Sequence, residues 1–245
     1  MSFVIGLIAE GPTDAVVLEP LIKRAVGARA QGLDVEIVPV QPGDVTSGGS
    51  EEGGWLQVKA WCLRNRAAQR RALYFEPLFE GFGPQCHALL VQLDADLLHL
   101  VPDLARKEGV PAPAELTPEA RGETIRALLT RWLWPEEGAR LDEPRTVRLA
   151  AVWSTETWLV AALDPALATP EAVDPNPLLL KVSPGLAYPL GSTKLKKSVK
   201  RWKKICKQAK LAEQSEAIVE RCPSLGEAIS ALVELATTHR AAHSP

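Results

Sequence analysis

Three apolar segments of the sequence are each followed by acidic residues. The segments are Phe3–Ala9, His87–Leu93 and Val147–Val152. The acids that follow them are, in order, Glu10 and Asp14, Asp94 and Asp96, and Glu156. Carboxylates brought within a few ångströms repel one another at neutral pH, so such a group is tolerated mainly around a hard divalent cation. If the segments end at one place in the fold, these acids predict a metal site.

The residue types favour Mg²⁺ or Mn²⁺ over zinc. Oxygen ligands suit hard cations, whereas structural zinc sites use Cys and His. The chain has four scattered cysteines without a C-x-x-C pair, and no cluster of histidines accompanies the acids. Two metal ions about 3.5–4 Å apart can polarise a phosphodiester, activate a water molecule and stabilise the leaving oxygen. The chemistry expected of such a site is phosphodiester hydrolysis.

Each acid also has a purely structural interpretation. Asp94 and Asp96 could cap the helix that follows them. Asp14 and Glu156 could each interact favourably with the dipole of their own helix. The metal interpretation rests on the coincidence of all these acids at predicted strand ends.

The pattern of apolar residues predicts the elements that must bring these acids together. The three apolar segments are continuous rather than alternating, as in strands covered by helices on both faces, and Asp34–Val40 is predicted as a further strand. Helices are predicted from Pro12 to about Val26, and at about 55–73, 118–134, 155–163, 194–210 and 224–239. Pro20 is expected to kink or split the first helix. This alternation predicts an α/β fold with a mostly parallel sheet flanked by helices.

Ligands of open parallel sheets bind beyond the carboxyl ends of the strands, which is where the acids would converge. Pro102–Trp134 is interpreted as a helical insertion whose helix has Thr117 as its N-cap. Thr46–Gly54 is rich in Gly and Ser and predicts a loop, and Asp164–Gly191, with six prolines, predicts a linker or irregular wrap. The expected division is an α/β domain over 1–163, with its insertion at about 102–134, and a helical C-terminal extension over 164–245.

Two motifs resemble a known family. Glu10-Gly11-Pro12-Thr13-Asp14 after one apolar strand and Asp94-Ala95-Asp96 after another resemble the Toprim domain of topoisomerases, primases and OLD-type nucleases. The E-G-x-[ST]-[DE] form is most similar to OLD-type nucleases and to small bacterial Toprim-like proteins such as the DUF4276 group. The resemblance covers roughly Phe3–Leu163.

Further matches to those small proteins are shorter. They are Glu156-Thr157-Trp158-Leu159 after a later strand, a lysine-bearing segment matched to Lys194–Lys197, and Cys222-Pro223-Ser224. The resemblance implies that the ligands of Mg²⁺ or Mn²⁺ are Glu10, Asp14, Asp94 and Asp96. It also implies that Glu156 is an additional ligand, and that the catalytic set is Glu10, Asp94, Asp96 and Glu156. The insertion after Asp96 departs from the family pattern and could reshape access of the substrate.

The segment Lys194–Lys210 is strongly basic. It holds nine of the chain's 28 Lys and Arg residues and no acid. The rest of the chain therefore has 19 basic and 30 acidic residues, a net charge of −11. Such a segment suits contact with phosphates, but a solvated helix or contact with the protein's own acidic patch is also possible. The candidate nucleic-acid-binding residues are Lys194, Lys196, Lys197, Lys200, Arg201, Lys203 and Lys204. Trp202 could stack on a base, and the preferred interpretation is that it anchors the helix to the body.

The leading hypothesis is a Toprim-like, Mg²⁺-dependent nuclease acting on DNA or RNA. By resemblance to effectors of bacterial anti-phage systems, it would work with an ATPase partner. One alternative is a catalytically silent module that assembles a partner protein or nucleic acid. Another is phosphoryl transfer of the receiver or phosphatase type, which would require an Asp nucleophile where the first strand ends, and Glu10 argues against it.

Other classes are disfavoured by what the sequence lacks. There is no apolar run near the roughly 20 residues of a membrane span and no basic start of a signal peptide, so no membrane contact and a cytoplasmic location are expected. No Walker A motif and no G-x-S-x-G motif are present. The choice between DNA and RNA, the number of metal ions and the oligomeric state stay open.

Overall fold

Four parallel strands form the centre of the molecule. The computed structural model describes residues 2–41, 54–77, 85–136, 143–183 and 198–243. The strands are β1 Ser2–Ile8, β2 Asp34–Gln41, β3 Ala88–Asp94 and β4 Thr146–Ala151. They lie in the order β2-β1-β3-β4, and every pair is parallel. The α/β fold with a parallel sheet flanked by helices is therefore confirmed.

Helices cover both faces of this sheet. One face packs against α1 Pro12–Arg29, α7 Glu156–Leu163, α8 Pro175–Val182, α9 Val199–Gln208, α10 Ser215–Arg221 and α11 Pro223–Ala242. The other packs against α2 Trp55–Arg64, α3 Ala67–Arg70, α4 Leu97–Leu100, α5 Leu104–Lys107 and α6 Pro118–Leu133. Every residue of β3 is buried, which explains why its sequence is apolar without alternation.

The connections of β1 and β3 leave the sheet in opposite directions. α1 connects β1 to β2 on one face, with Val17 and Leu21 in the same core as Ile5. α6 lies in the connection from β3 to β4 on the other face, with Leu128 in the same core as Leu89. A crevice opens between neighbouring strands whose connections diverge in this way, and open α/β sheets bind ligands there. In this protein that position is the carboxyl end of the β1–β3 pair.

Several element boundaries differ from the predictions. α1 is one continuous helix with Pro20 inside it, so of the two expected effects, a kink or a split, the split is wrong. Apolar burial along its inner face offsets the hydrogen bond that proline removes. The helix predicted over 55–73 ends at Arg64, where the Asn65 side-chain amide donates to the Trp61 carbonyl at 2.9 Å. It is followed by α3 and by a π-helical turn over Arg71–Phe75.

The proline-rich regions contain more helix than expected. α8 lies within the predicted wrap, with the Asp174 side chain accepting from the backbone N–H of Asn176 at 2.9 Å. The helix beginning at Pro118 has the predicted N-cap, because the Thr117 hydroxyl accepts from the Ala120 N–H at 3.3 Å. Pro at the first helical position fixes a helical φ and needs no N–H partner, which explains why proline begins these helices. The loop predicted over Thr46–Gly54 lies outside the described residues, except for Gly54.

The C-terminal helices share the core of the sheet. Trp202 of α9, Ile218 of α10 and Leu225 of α11 are buried in the same apolar cluster as α1. Along the described stretches of the chain, no helix is long and apolar enough to cross a membrane.

Candidate metal centre

The strand register brings the two acidic loops together. β1 pairs with β3 as far as Ile8 with Val91, and β3 pairs with β4 as far as Asp94 with Ala151. Beyond the strands, the Asp96 N–H still donates to the Trp153 carbonyl at 3.0 Å. The residues that follow β1, β3 and β4 therefore meet at one edge of the sheet, as the sequence predicted.

Three buried carboxylates form the centre of the site. Asp14 from the first turn of α1, Asp94 at the end of β3 and Glu156 at the start of α7 each offer an oxygen, and these oxygens all lie within 4.8 Å of one another. All three residues are buried. Residues separated by as many as 142 positions in sequence thus converge on one point, which we call the carboxylate triad.

Glu10 is half-buried beside the triad and connects two strands. Its Oε1 accepts a hydrogen bond from the backbone N–H of Asp94 at 2.6 Å. Its Oε2 faces Gly54, where a β-carbon would lie 3.5 Å from this oxygen and where φ is +84°, a backbone conformation that favours glycine. Glu10 therefore stabilises the β1–β3 junction with one oxygen. The sequence predicted Glu10 as a metal ligand and catalytic residue, but not this bond to the Asp94 backbone.

Asp96 is the second predicted ligand that lies outside the carboxylate triad. It is half-buried and lies two residues beyond Asp94. Its negative charge still contributes to the field at Asp94. The structure thus brings Asp14, Asp94 and Glu156 closest together and places Glu10 and Asp96 around them.

The electrostatics of Asp94 identify it as the centre of this group. Burial raises the pKa of its carboxyl well above the ordinary value, and the negative charges of Glu10, Asp14, Glu156 and Asp96 raise it further, in that order. Burying an ionised carboxylate in this position costs free energy unless it binds a proton or lies beside a cation.

Two neutral residues that the sequence analysis missed donate hydrogen bonds to the triad. The Gln92 amide donates from Nε2 to Asp94 Oδ1 at 2.6 Å and accepts from the Glu10 N–H through Oε1 at 3.4 Å. The Thr155 hydroxyl donates to Asp14 Oδ1 at 2.7 Å. Gln92 is fully buried. The sequence did contain a signal for its role, because Gln92 is a single amide side chain within an otherwise apolar strand.

The residues present fit a divalent cation bound by oxygen. The triad offers only carboxylate oxygens, the donors preferred by hard cations. Burial raises the pKa of Cys62 to about 12 and that of Cys86 and Cys206 to about 11, and it also raises the pKa of Cys222. These buried thiols stay protonated at neutral pH, which argues against thiolate ligands. The triad can hold a divalent metal ion.

The basic segment forms an amphipathic helix against the body of the protein. Trp202, Ile205 and Cys206 of α9 are buried, and Trp202 is only 1% exposed. The interpretation of Trp202 as an anchor, rather than a base-stacking residue, is therefore confirmed. The opposite side of α9 exposes Lys200, Lys203, Lys204 and Lys207, which we call the lysine face. Of the other candidates, Arg201 is half-buried, and Lys194, Lys196 and Lys197 lie outside the described residues.

α9 packs on α1, the helix that carries Asp14. Lys203 and Lys207 line one groove together with Val16 and Glu19 of α1.

No model of a protein family, no curated protein and no solved structure matches this chain. The resemblance to Toprim proteins therefore stays a prediction based on the two acidic motifs.

Proposed function

We propose that the protein is a metal-dependent hydrolase of phosphodiester bonds in DNA or RNA. The observation that carries this proposal is the carboxylate triad at the carboxyl end of the β1–β3 pair, where Asp14, Asp94 and Glu156 come within 4.8 Å. That position is where open parallel sheets bind ligands. The resemblance of the acidic motifs to Toprim nucleases supports the same chemistry and extends the proposal to an ATPase partner.

In this proposal Asp14, Asp94 and Glu156 hold Mg²⁺ or Mn²⁺. A divalent cation bound there supplies Lewis-acid activation of the phosphodiester and of an attacking water molecule. Glu10 keeps the two loops in register through the Asp94 backbone, and its negative charge adds to the field that favours a cation at the triad. Asp96 lies at the half-buried margin, from which its carboxylate can orient a water molecule.

The lysine face supports a polyanionic substrate. An acidic site alone repels nucleic acid, so an enzyme of this class needs a separate cationic surface that binds phosphates. Lys200, Lys203, Lys204 and Lys207 present four positive charges on the outer side of α9. α9 packs on α1, the helix whose first turn carries Asp14, and the proposal therefore places one bound strand across both the lysine face and the carboxylate triad.

The test is cleavage of plasmid DNA, single-stranded DNA and RNA in Mg²⁺ or Mn²⁺. Glu10→Gln and Asp94→Asn are expected to lower the rate by at least about 100-fold, because each removes a charge at the site where metal would bind. Asp103→Asn, at an exposed carboxylate that pairs with Arg106, serves as the matched control and should cleave like the wild type. Equal rates in the wild type and both site variants would overturn the assignment.

A further inference from the structure

Two stacked rings lie beside the metal centre. His99 of α4 stacks on Trp153, with ring centroids 5.6 Å apart and planes 17° from parallel. The guanidinium carbon of Arg121 lies 3.4 Å from the centroid of the Trp153 ring. A cation this close to an indole face is attracted to the ring and favours this orientation of it.

The stack is attached to the loops that carry the site. Trp153 lies between β4 and Glu156, and its carbonyl accepts from the Asp96 N–H at 3.0 Å. His99 lies one turn beyond Asp96, whose carbonyl accepts the His99 N–H at 3.0 Å. The rings therefore belong to the same sheet edge as Asp94 and Glu156.

Exposure decreases from the outside of this stack to the inside. Arg121 is buried, Trp153 is half-buried and His99 is exposed. Leu100, the next residue of α4, is 72% exposed. The exposed part of this group is thus the flat imidazole of His99, followed in sequence by the exposed aliphatic side chain of Leu100, and the indole and guanidinium that it packs with are more buried.

We propose that His99 and Leu100, supported by Trp153 and Arg121, form a stacking shelf for one unpaired nucleobase next to the scissile phosphate. Aromatic faces bind bases of any identity by stacking, and this contact is worth a measurable fraction of the affinity for single strands. Bases within a duplex already have neighbours on both faces, so such a shelf selects substrates that are unpaired where they are cut. This inference rests on the proposed function and names its substrate class: single strands, loops or frayed ends.

The first experiment measures binding, and needs no cleavage. Wild-type protein in Ca²⁺ is titrated with a labelled single-stranded oligonucleotide and with copies that carry one abasic site at successive positions. One abasic position should weaken binding by about 10-fold, as expected for the loss of one stacked base. His99→Ala should bind the intact oligonucleotide about 10-fold more weakly and lose its sensitivity to that abasic position.

Matched variants separate stacking from other effects. His99→Phe keeps a flat ring without an imidazole and should retain wild-type affinity and sensitivity. His243→Ala removes another exposed histidine, at the far end of α11, and should behave like the wild type. Melting temperatures of all variants check that the fold is retained.

The second experiment measures cleavage with the same oligonucleotides in Mn²⁺. The abasic position that weakens binding should also lower kcat/KM in the wild type and in His99→Phe, but not further in His99→Ala. A loss of both affinity and abasic-site sensitivity in His99→Phe would overturn the shelf, because a flat ring would then not replace His99. Binding that is equal for intact and abasic strands would also overturn it. If binding behaves as expected but no strand is cleaved, the shelf stands and the nuclease assignment fails.

Discussion

At the scale of single residues, the neutral donors beside the carboxylates decide how the triad can bind metal. The Thr155 hydroxyl engages Asp14 Oδ1 and the Gln92 amide engages Asp94 Oδ1. Each donor fixes the rotamer of its carboxylate by holding one of the two oxygens. Residues that orient metal ligands in this way typically change metal affinity by about 10- to 100-fold when they are replaced.

Thr155→Val is therefore expected to weaken Mn²⁺ binding by about 10-fold, whereas Thr155→Ser, which keeps the hydroxyl, should bind as the wild type does. Titration calorimetry with Mn²⁺ checks the affinity, and metal-free melting curves check the fold. If valine and serine variants bind Mn²⁺ equally well, the hydroxyl has no orienting role.

The raised pKa of Asp94 has a consequence for stability. Because the pKa of this carboxyl is higher in the folded than in the unfolded protein, the folded state favours its protonated form. The group therefore contributes most to stability at low pH, and its contribution falls as the pH rises above about 3.9 towards the folded value. At neutral pH without metal, the Asp94 carboxylate destabilises the fold.

Asp94→Asn should accordingly raise the melting temperature at pH 7 in the absence of metal. One pKa unit corresponds to about 1.4 kcal/mol, and a domain of this size gains roughly 2–4 °C for each kcal/mol. Added Mn²⁺ should stabilise the wild type and not the variant, because only the wild type retains the triad. Calorimetric melts with EDTA and with Mn²⁺ measure both effects, and a variant less stable than the wild type in EDTA would contradict this account.

At the scale of elements, α9 separates two roles along one helix. Its inner side carries Trp202 into the core, so the helix is fixed to α1, and its outer side carries the lysine face. A helix held this firmly presents its charges at fixed positions and avoids the loss of conformational entropy that a flexible tail suffers on binding.

Reversing two of these charges tests the role of the lysine face. Lys200→Glu combined with Lys204→Glu should weaken binding to nucleic acid. For single strands, the plot of the logarithm of the association constant against the logarithm of the salt concentration should become less steep by about 1.4. Lys107→Glu combined with Lys181→Glu makes the same change in net charge at exposed positions on other helices. Fluorescence titrations at several salt concentrations measure the slopes; similar losses in both double variants would mean that only net charge matters.

At the scale of the whole molecule, the two edges of the sheet respond oppositely to acid. At the edge opposite the carboxylate triad, His87 Nδ1 accepts from the Val4 N–H at 2.8 Å, and the centroid of its ring lies 4.0 Å from that of the His239 ring. Burial lowers the pKa of His87 to about 4, and the positive charges of His239, Arg145 and His243 contribute to the same shift. The fold therefore favours the neutral imidazole of His87 and the protonated carboxyl of Asp94.

The stability contributed by neutral His87 is present above the unfolded pKa of 6.5 and is lost as the pH falls towards 4. His87→Gln keeps an acceptor for the Val4 N–H and cannot be protonated. When the pH is lowered from 6.5 to 4, the melting temperature of this variant should fall by a few degrees less than that of the wild type. Melts across this range measure the difference, which isolates His87 from the opposite contribution of Asp94. Parallel curves would show that His87 does not control the acid response.

The sequence by itself determined the buried strands, the acids that follow them and the amphipathic helix that Trp202 anchors. Each follows from local rules: continuous apolar runs require cover on both faces, and helical spacing places apolar residues on one side. The caps at Thr117 and Asp174 also follow such rules, whereas the prolines around α8 predict irregular chain and not the helix that forms there.

Only the tertiary structure decided which acids form the triad and what orients them. Strand order and helix direction set the distances among Asp14, Asp94 and Glu156, and these depend on contacts between residues far apart in the chain. The hydrogen bonds from Gln92 and Thr155, and the bond from the Asp94 backbone to Glu10, arise in the same way. Burial then raised the pKa of Asp94, because the surrounding layers of helix exclude the water that would otherwise stabilise its charge.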